Sequence, residues 1–176
     1  FRQHLHVIAG LTETGQLEEL KSYLHQYESE LSEHRPSLCA NAAVDALAGY
    51  YDHAAGQQSV PVEWKLALPR QLPMPEADLC TILGNLLENA LHAAVRCREA
   101  GHEAFIETSG HEKGHKLFLQ ITNSCLPDVQ FREGVPVTDR TGHGLGVRSI
   151  CAISERYGGL TSFAAKDGQF TLRVML

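Results

Sequence analysis

The sequence has no stretch rich in lysine or arginine, and a formal charge of −6 over 176 residues leaves no basic face for nucleic acid. It has no C-x-x-C spacing. Its five cysteines (Cys39, Cys80, Cys97, Cys125 and Cys151) stand singly and are odd in number, which argues against a disulfide framework or a zinc cluster and for a reducing compartment. No apolar run approaches the roughly 20 residues that cross a bilayer, and no signal peptide opens the chain. A Walker-type G-x-x-x-x-G-K-[ST] loop is missing as well, which disfavours a P-loop enzyme. What is present suffices for a core: 43 % apolar residues, with 20 % charged residues and seven prolines, a composition unlike that of disordered segments.

Residues 1–34 read as a helical hairpin. Phe1, Leu5, Ile8 and Leu11 recur at steps of four and three, Gly15 marks a turn, and Leu17, Leu20, Leu24, Tyr27 and Leu31 form a second stripe. Two short helices cannot bury two such stripes by themselves, so pairing with a second copy into a four-helix bundle is expected. His34-Arg35-Pro36 ends the pattern. A helix is then expected from Ser37 to about Ala55, with Val44, Leu47, Ala48 and Tyr51 inward. Val60 to Leu68 alternates like a strand, with Pro61 suiting an edge or a strand start.

Pro75-Glu76-Ala77-Asp78 opens a long helix to about Arg98. Strands are expected over 104–109 and 116–123, joined by the polar turn Gly110–Gly114. Residues 123–142 read as a long functional loop. A helix from Leu145 to Tyr157 stops at Gly158-Gly159. Two closing strands, 160–165 and 170–176, face each other across Lys166-Asp167-Gly168-Gln169. Helices covering one side of a mixed sheet give an α/β fold, a two-layer sandwich.

Chemistry concentrates at two places. On a helical wheel Thr81, Asn85, Glu88, Asn89, His92, Arg96 and Glu99 share an arc of roughly 100°. Asparagine is a mediocre helix former, so two of them one turn apart on one face ask for a reason. Magnesium supplies one, because it takes oxygen ligands and is usually held by few protein atoms plus substrate phosphates. Asn89 would offer the metal a neutral carbonyl oxygen, Asn85 would meet phosphate or a metal-bound water, and Glu88 would act on a proton. The second place is Gly142-His143-Gly144-Leu145-Gly146, bare backbone at a helix start, where N–H groups and the helix dipole favour phosphate. Arg140 and His143 would add donors. Asn123, at the end of an apolar strand, suits a nucleobase amino group.

These residues resemble those of the GHKL superfamily, and within it the sensor histidine kinases with Spo0B-like dimerisation helices. Asn85-Leu-Leu-Glu-Asn89-Ala90 is similar to the family's N box. Ile121-Thr-Asn123-Ser124 is similar to its first glycine-box strand, and Gly142-His-Gly-Leu-Gly146 followed by Val147-Arg-Ser-Ile150 to its second. Tyr157-Gly158-Gly159 and Gly168-Gln169-Phe170 resemble the closing segment. The resemblance implies a Bergerat-type ATP-binding sandwich over 35–176 behind a dimerisation hairpin over 1–34, with a mobile lid at about 125–141. It implies Asn89 as the magnesium ligand, Asn85 as a phosphate or metal-shell contact, Glu88 as the acid/base partner, and ATP bound by Asn123, Arg140, His143 and the glycine loop. Most members carry Asp where this chain has Asn123.

The start of the chain resembles the segment that follows the family's phosphoacceptor motif, so the phosphorylated histidine is expected just upstream of Phe1. The functional expectation is a histidine kinase: the γ-phosphoryl of Mg–ATP passes to that upstream histidine, then to a response-regulator aspartate. This chain alone would not label itself. A homodimer through the N-terminal helices is expected, with a receiver domain as partner, no nucleic acid, and no direct membrane contact from this cytoplasmic piece of a membrane-anchored parent. The rival readings are a phosphotransfer scaffold with a decayed ATP site and a GHKL serine kinase of anti-sigma type.

Overall fold

The structure, a computed structural model, describes residues 2–23, 36–132, 134–137 and 145–176. The chain divides into two compact units, Phe1–Pro36 and Ser37–Leu176. In the first, α1 (Arg2–Glu13) turns at Gly15, with φ +68, into α2, described over 17–23. Ile8, Leu11 and Leu20 are half-buried there, whereas Leu17 is 61 % exposed. The remainder of the second stripe, Leu24, Tyr27 and Leu31, lies outside the described residues.

The second unit holds α3 (Ala42–Gln57), β1 (Val62–Ala67), α4 (Glu76–Glu99), β2 (Ile106–Lys113), β3 (Lys116–Ser124), β4 (Gln130–Arg132), β5 (Val135–Val137), α5 (Leu145–Arg156), β6 (Leu160–Lys166) and β7 (Gln169–Met175). Five strands form one mixed sheet in the order β1-β2-β3-β7-β6, parallel only between β1 and β2. One face carries Leu66, Ile106, Leu117, Leu119, Ile121, Leu172 and Val174, all buried in a core shared with Leu79, Leu83, Leu86, Leu87 and Ala94 of α4 and Ile150 of α5. This is the expected two-layer α/β sandwich, with α4 packed against α3, α5 and the sheet. Pro61 precedes the edge strand β1, where a missing N–H costs no ladder bond.

Three local expectations need correction. The helix expected from Ser37 begins at Ala42, because side chains cap it from outside. Asn41 Oδ1 accepts from the Val44 amide at 3.0 Å, and the Asp45 carboxylate accepts from the Leu38 and Cys39 amides at 2.6 and 3.0 Å, holding 37–41 as a turn. Asn41 is fully buried and also donates to the Arg70 carbonyl and to Glu76. Asn41→Ala is therefore expected to cost about 2–3 kcal/mol in a urea melt, more than an exposed cap would.

The turn expected over 110–114 is shorter, since β2 continues to Lys113. Gly110 is a strand residue pressed against the core: a Cβ there would lie 3.1 Å from both Leu66 and Leu119. Finally, the stretch expected as a loop contains a small hairpin, β4 paired with β5. Val129, Phe131, Val135 and Val137 alternate around the turn at Gly134, a period-two signal too short to stand out.

Candidate functional site

α4 sorts its residues as the wheel predicts: Leu83, Leu86, Leu87, Ala90 and Ala94 are buried, and Glu88, Asn89 and His92 are exposed. Asn85 is half-buried, and its Nδ2 donates back to the Thr81 carbonyl at 2.8 Å. Its Oδ1 then stands where a side chain at residue 146 would go. A Cβ built on Gly146 would lie 2.8 Å from that oxygen. Glycine at this place lets the start of α5 close onto the first asparagine of α4.

One helical turn further along α4 lies a cavity of about 200 Å³. Asn89, His92 and Arg96 of α4 line it, together with Asn123 at the end of β3 and Val147 of α5. Leu86, Ile121, Phe170 and Leu172 give it an apolar floor. Asn123 is only 2 % exposed. Its Nδ2 donates to the Ser124 carbonyl at 2.9 Å, and its Oδ1 has no hydrogen-bond partner among the described residues. A carboxamide oxygen with no protein donor, at a cavity lined largely by apolar side chains, suits a ligand that brings an N–H.

The β4–β5 hairpin roofs the cavity. Val129, Pro136 and Val137 contribute to the lining, and Phe131 stacks on Phe170 with ring centroids 6.5 Å apart. Arg96 reaches the start of this segment through an ion pair with Asp128 at 2.7 Å. Both side chains are well exposed, so the pair positions the strand entry more than it stabilises the fold.

The remaining expected site residues are placed differently. Glu88 does not line the cavity. It faces Tyr51, whose phenol donates to the Gly84 carbonyl at 3.2 Å. Burial, then the charge of Glu88, then Tyr50 push the Tyr51 phenol from 10.0 up to about 12. The folded chain thus holds this proton more tightly than the unfolded chain does. Its contribution to stability is complete below pH 10 and is lost between about 10 and 12. Tyr51→Phe should remove the latest-ionising phenol from a spectrophotometric titration and flatten the alkaline fall in stability over that window.

Arg140, Gly142, His143 and Gly144 lie outside the described residues, and so does the side chain of Leu145, where α5 begins. Reading by motif alone misses His92, Arg96, Cys125 and Phe170 as cavity residues. His92 and Arg96 had a signal, since they continue the Asn85–Asn89 stripe at helical spacing. Cys125 and Phe170 had none, because only the β3–β7 pairing brings residues 123–125 and 170 together. Burial, with Cys97 and Asp128 nearby, pushes the Cys125 thiol up.

Asn123, Asn89 and Val147 come from the three segments that a GHKL site would bring together. A GHKL-domain family model matches residues 74–176. The chain belongs to the GHKL domain family. Its layered sheet and helices are the fold that family shares with histidine kinase catalytic domains. The nucleotide-free catalytic domain of the histidine kinase ThkA is similar at 14% identity and TM-score 0.60, over 76% of this chain and 88% of that one. The mycobacterial sensor histidine kinase MprB is similar at 16% identity and TM-score 0.52, over 76% of this chain and 92% of that one. Full-length ShkA in complex with AMPPNP is similar at 18% identity and TM-score 0.57; 99% of this chain spans 38% of that longer protein. At such identities the likeness is one of fold. No curated protein sequence matches the chain significantly.

In this GHKL domain the described residues include no group of three His, Cys, Asp or Glu side chains that could cage a metal. A magnesium ion here would therefore depend on Asn89 and on phosphate oxygens, the sparse protein coordination that this ion accepts. The donor set fits. The exposed carboxamide of Asn89 stands at the cavity, and Gly146 lets the first turn of α5 approach Asn85.

Proposed function

We propose that this GHKL domain is the ATP-binding catalytic region of a sensor histidine kinase, which passes the γ-phosphoryl of Mg–ATP to a histidine upstream of Phe1 and from there to a receiver-domain aspartate. The observation that carries this reading is the Asn123 carboxamide, on a residue only 2 % exposed and with no protein donor to its Oδ1 among the described residues, in an apolar cavity that also holds Asn89. A 6-amino purine would donate to that oxygen while its ring lies among Leu86, Ile121 and Leu172. Its phosphates would then run toward Asn85, Gly146 and the N-terminus of α5, where backbone N–H groups favour negative charge. Magnesium, when bound, would neutralise charge on the phosphates as the bond to the γ-phosphorus loosens.

This chain's own part is positioning. Asn89 orients the metal–phosphate unit, Asn123 fixes the base, and the β4–β5 hairpin with Phe131 excludes water from the base end. Glu88, exposed and outside the cavity, would act on a proton only when an acceptor histidine is delivered beside α4. The helices of residues 1–34 would supply the dimer contact, and the parent would carry this region on the cytoplasmic side of a membrane.

Titration calorimetry with Mg–ATP tests the reading. Saturable binding that weakens when magnesium is removed is expected, with no transfer of γ-phosphate onto the chain itself. Absence of binding at millimolar nucleotide would favour the scaffold reading instead. Acid-labile phosphate on His4 or His6 would overturn the upstream acceptor.

A further inference from the structure

The core and the helices occupy one face of the five-stranded sheet, and the other face carries exposed and half-buried side chains. Strand register sets these in rows. Leu160, Met175, Phe118 and His111 stand side by side across β6, β7, β3 and β2, and the next row holds Ser162, Arg173, Gln120 and Ser109. The two rows line a groove of about 480 Å³. Leu160 is 67 % exposed there, and the His111 and Phe118 rings stack with centroids 5.2 Å apart. Four neighbouring strands span roughly 14 Å, the length of about four extended residues.

The head of Arg173 is held in place. Its Nε donates to Gln120 Oε1 at 2.7 Å, Gln120 Nε2 donates to Thr122 Oγ1 at 3.5 Å, and Thr122 meets the Thr171 hydroxyl at 3.1 Å. Both Nη groups are without a protein acceptor among the described residues. Lys116 adds a second cation, its Nζ 3.9 Å from Met175 Sδ. A chain of net charge −6 thus sets two cations without a carboxylate partner, among the described residues, beside an apolar row. A pre-set guanidinium offers two parallel N–H groups to one carboxylate, which an ammonium cannot do.

We propose that this groove docks an acidic segment of a partner protein, with one carboxylate on the Nη groups of Arg173 and an apolar side chain between Leu160 and Phe118. Charge complementarity selects the segment, and the apolar row anchors it. An anionic lipid surface fits less well. The groove is concave, the chain is acidic as a whole, and Glu63 and Glu107 stand on the same face one row beyond Arg173. The nucleotide cavity lies on the opposite face, because Ile121, Asn123 and Leu172 alternate along their strands with Gln120 and Arg173. The proposal therefore stands apart from the nucleotide reading, and the two ligands do not compete.

The experiment titrates the whole isotope-labelled chain with a short blocked peptide of alternating glutamate and leucine, following amide and arginine Nε–H resonances. Saturable shifts at Leu160, Ser162, Arg173 and Gln120 are expected, the same with and without Mg–ATP. Arg173→Gln should weaken binding about tenfold, and Arg173→Lys nearly as much, since lysine keeps the charge but not the fork. Leu160→Ser, at an exposed position that leaves the fold intact, should weaken it about threefold. Lys166→Gln removes a charge at the far end of β6, outside the groove, and should leave affinity unchanged. An Arg173→Lys chain that binds like the parent, or a Lys166→Gln chain that loses as much as Arg173→Gln, overturns the proposal in favour of unspecific charge. So do equal binding of the matching lysine–leucine peptide, shifts centred on Asn89, and no saturation at millimolar peptide. Arg173-dependent sedimentation with vesicles of equal phosphatidylglycerol and phosphatidylcholine, without peptide binding, gives the face to a lipid surface and overturns it too.

Discussion

Asn123→Leu is expected to weaken Mg–ATP binding by about tenfold to a hundredfold and to lower stability by only about 1 kcal/mol, which calorimetry and urea melts would read. The asymmetry follows from the geometry. The side chain makes one hydrogen bond within the protein, Nδ2 to the Ser124 carbonyl, while its Oδ1 faces the cavity. Leucine has the same branching and number of heavy atoms but cannot accept, so a base amino group entering the cavity would lose its partner. The same geometry bears on the aspartate that most family members carry here. A carboxylate oxygen would stand about 2.9 Å from the Ser124 carbonyl oxygen, two acceptors facing each other. Asn123→Asp is therefore expected to weaken binding in this chain. A gain in affinity would show that the amide is used the other way round.

The second large effect lies at the far end of α5. Gly159→Ala is expected to cost about 3 kcal/mol or more, lowering the thermal midpoint by roughly 6–12 °C. A Cβ at Gly159 would collide with the Met175 carbonyl and lie 2.8 Å from Ser154 Oγ. The backbone carbonyl belongs to β7 and cannot swing away as a side chain would. α5 ends here in a tight cap: Gly158, with φ +65, donates to the Glu155 carbonyl, and Gly159 donates to the Ser154 carbonyl. Tyr157 and Arg156 then tie this end to Asp78 in the first turn of α4. Loosening the cap therefore disturbs the helix whose other end presses Gly146 onto Asn85, and nucleotide affinity should fall with stability. Gly56→Ala is the control: nothing lies within 4 Å of its Cβ, and it should stabilise by about 0.5 kcal/mol in the same melts.

Much of the fold was legible in the sequence because its signals are local. Leucines at helical spacing with Glu76 and Asp78 at the start specify α4 nearly to the residue. The Asp167-Gly168 pair, with φ +51 and +75, gives the two-residue turn between β6 and β7. The errors arise where distant residues decide. The start of α3 depends on Asn41 reaching Arg70 and Glu76, and the length of β2 depends on Gly110 meeting Leu66. The site divides in the same manner. Asn85 and Asn89 declare themselves by sharing one face of a helix. The thiol of Cys125 and the ring of Phe170 reach the cavity only through sheet pairing, which no local pattern records.

The central claim is that Asn89, Asn123 and the start of α5 hold one nucleotide. Paramagnetic relaxation by Mn–ATP, read on the side-chain amides of the uniformly labelled chain, tests it most directly. The account predicts that the Asn89 amide broadens most, Asn85 next, and that Asn123 shifts while broadening less, because it holds the base and not the metal. Broadening centred on the opposite sheet face, near Gln120, with the Asn89 and Asn123 amides unmoved, would contradict it.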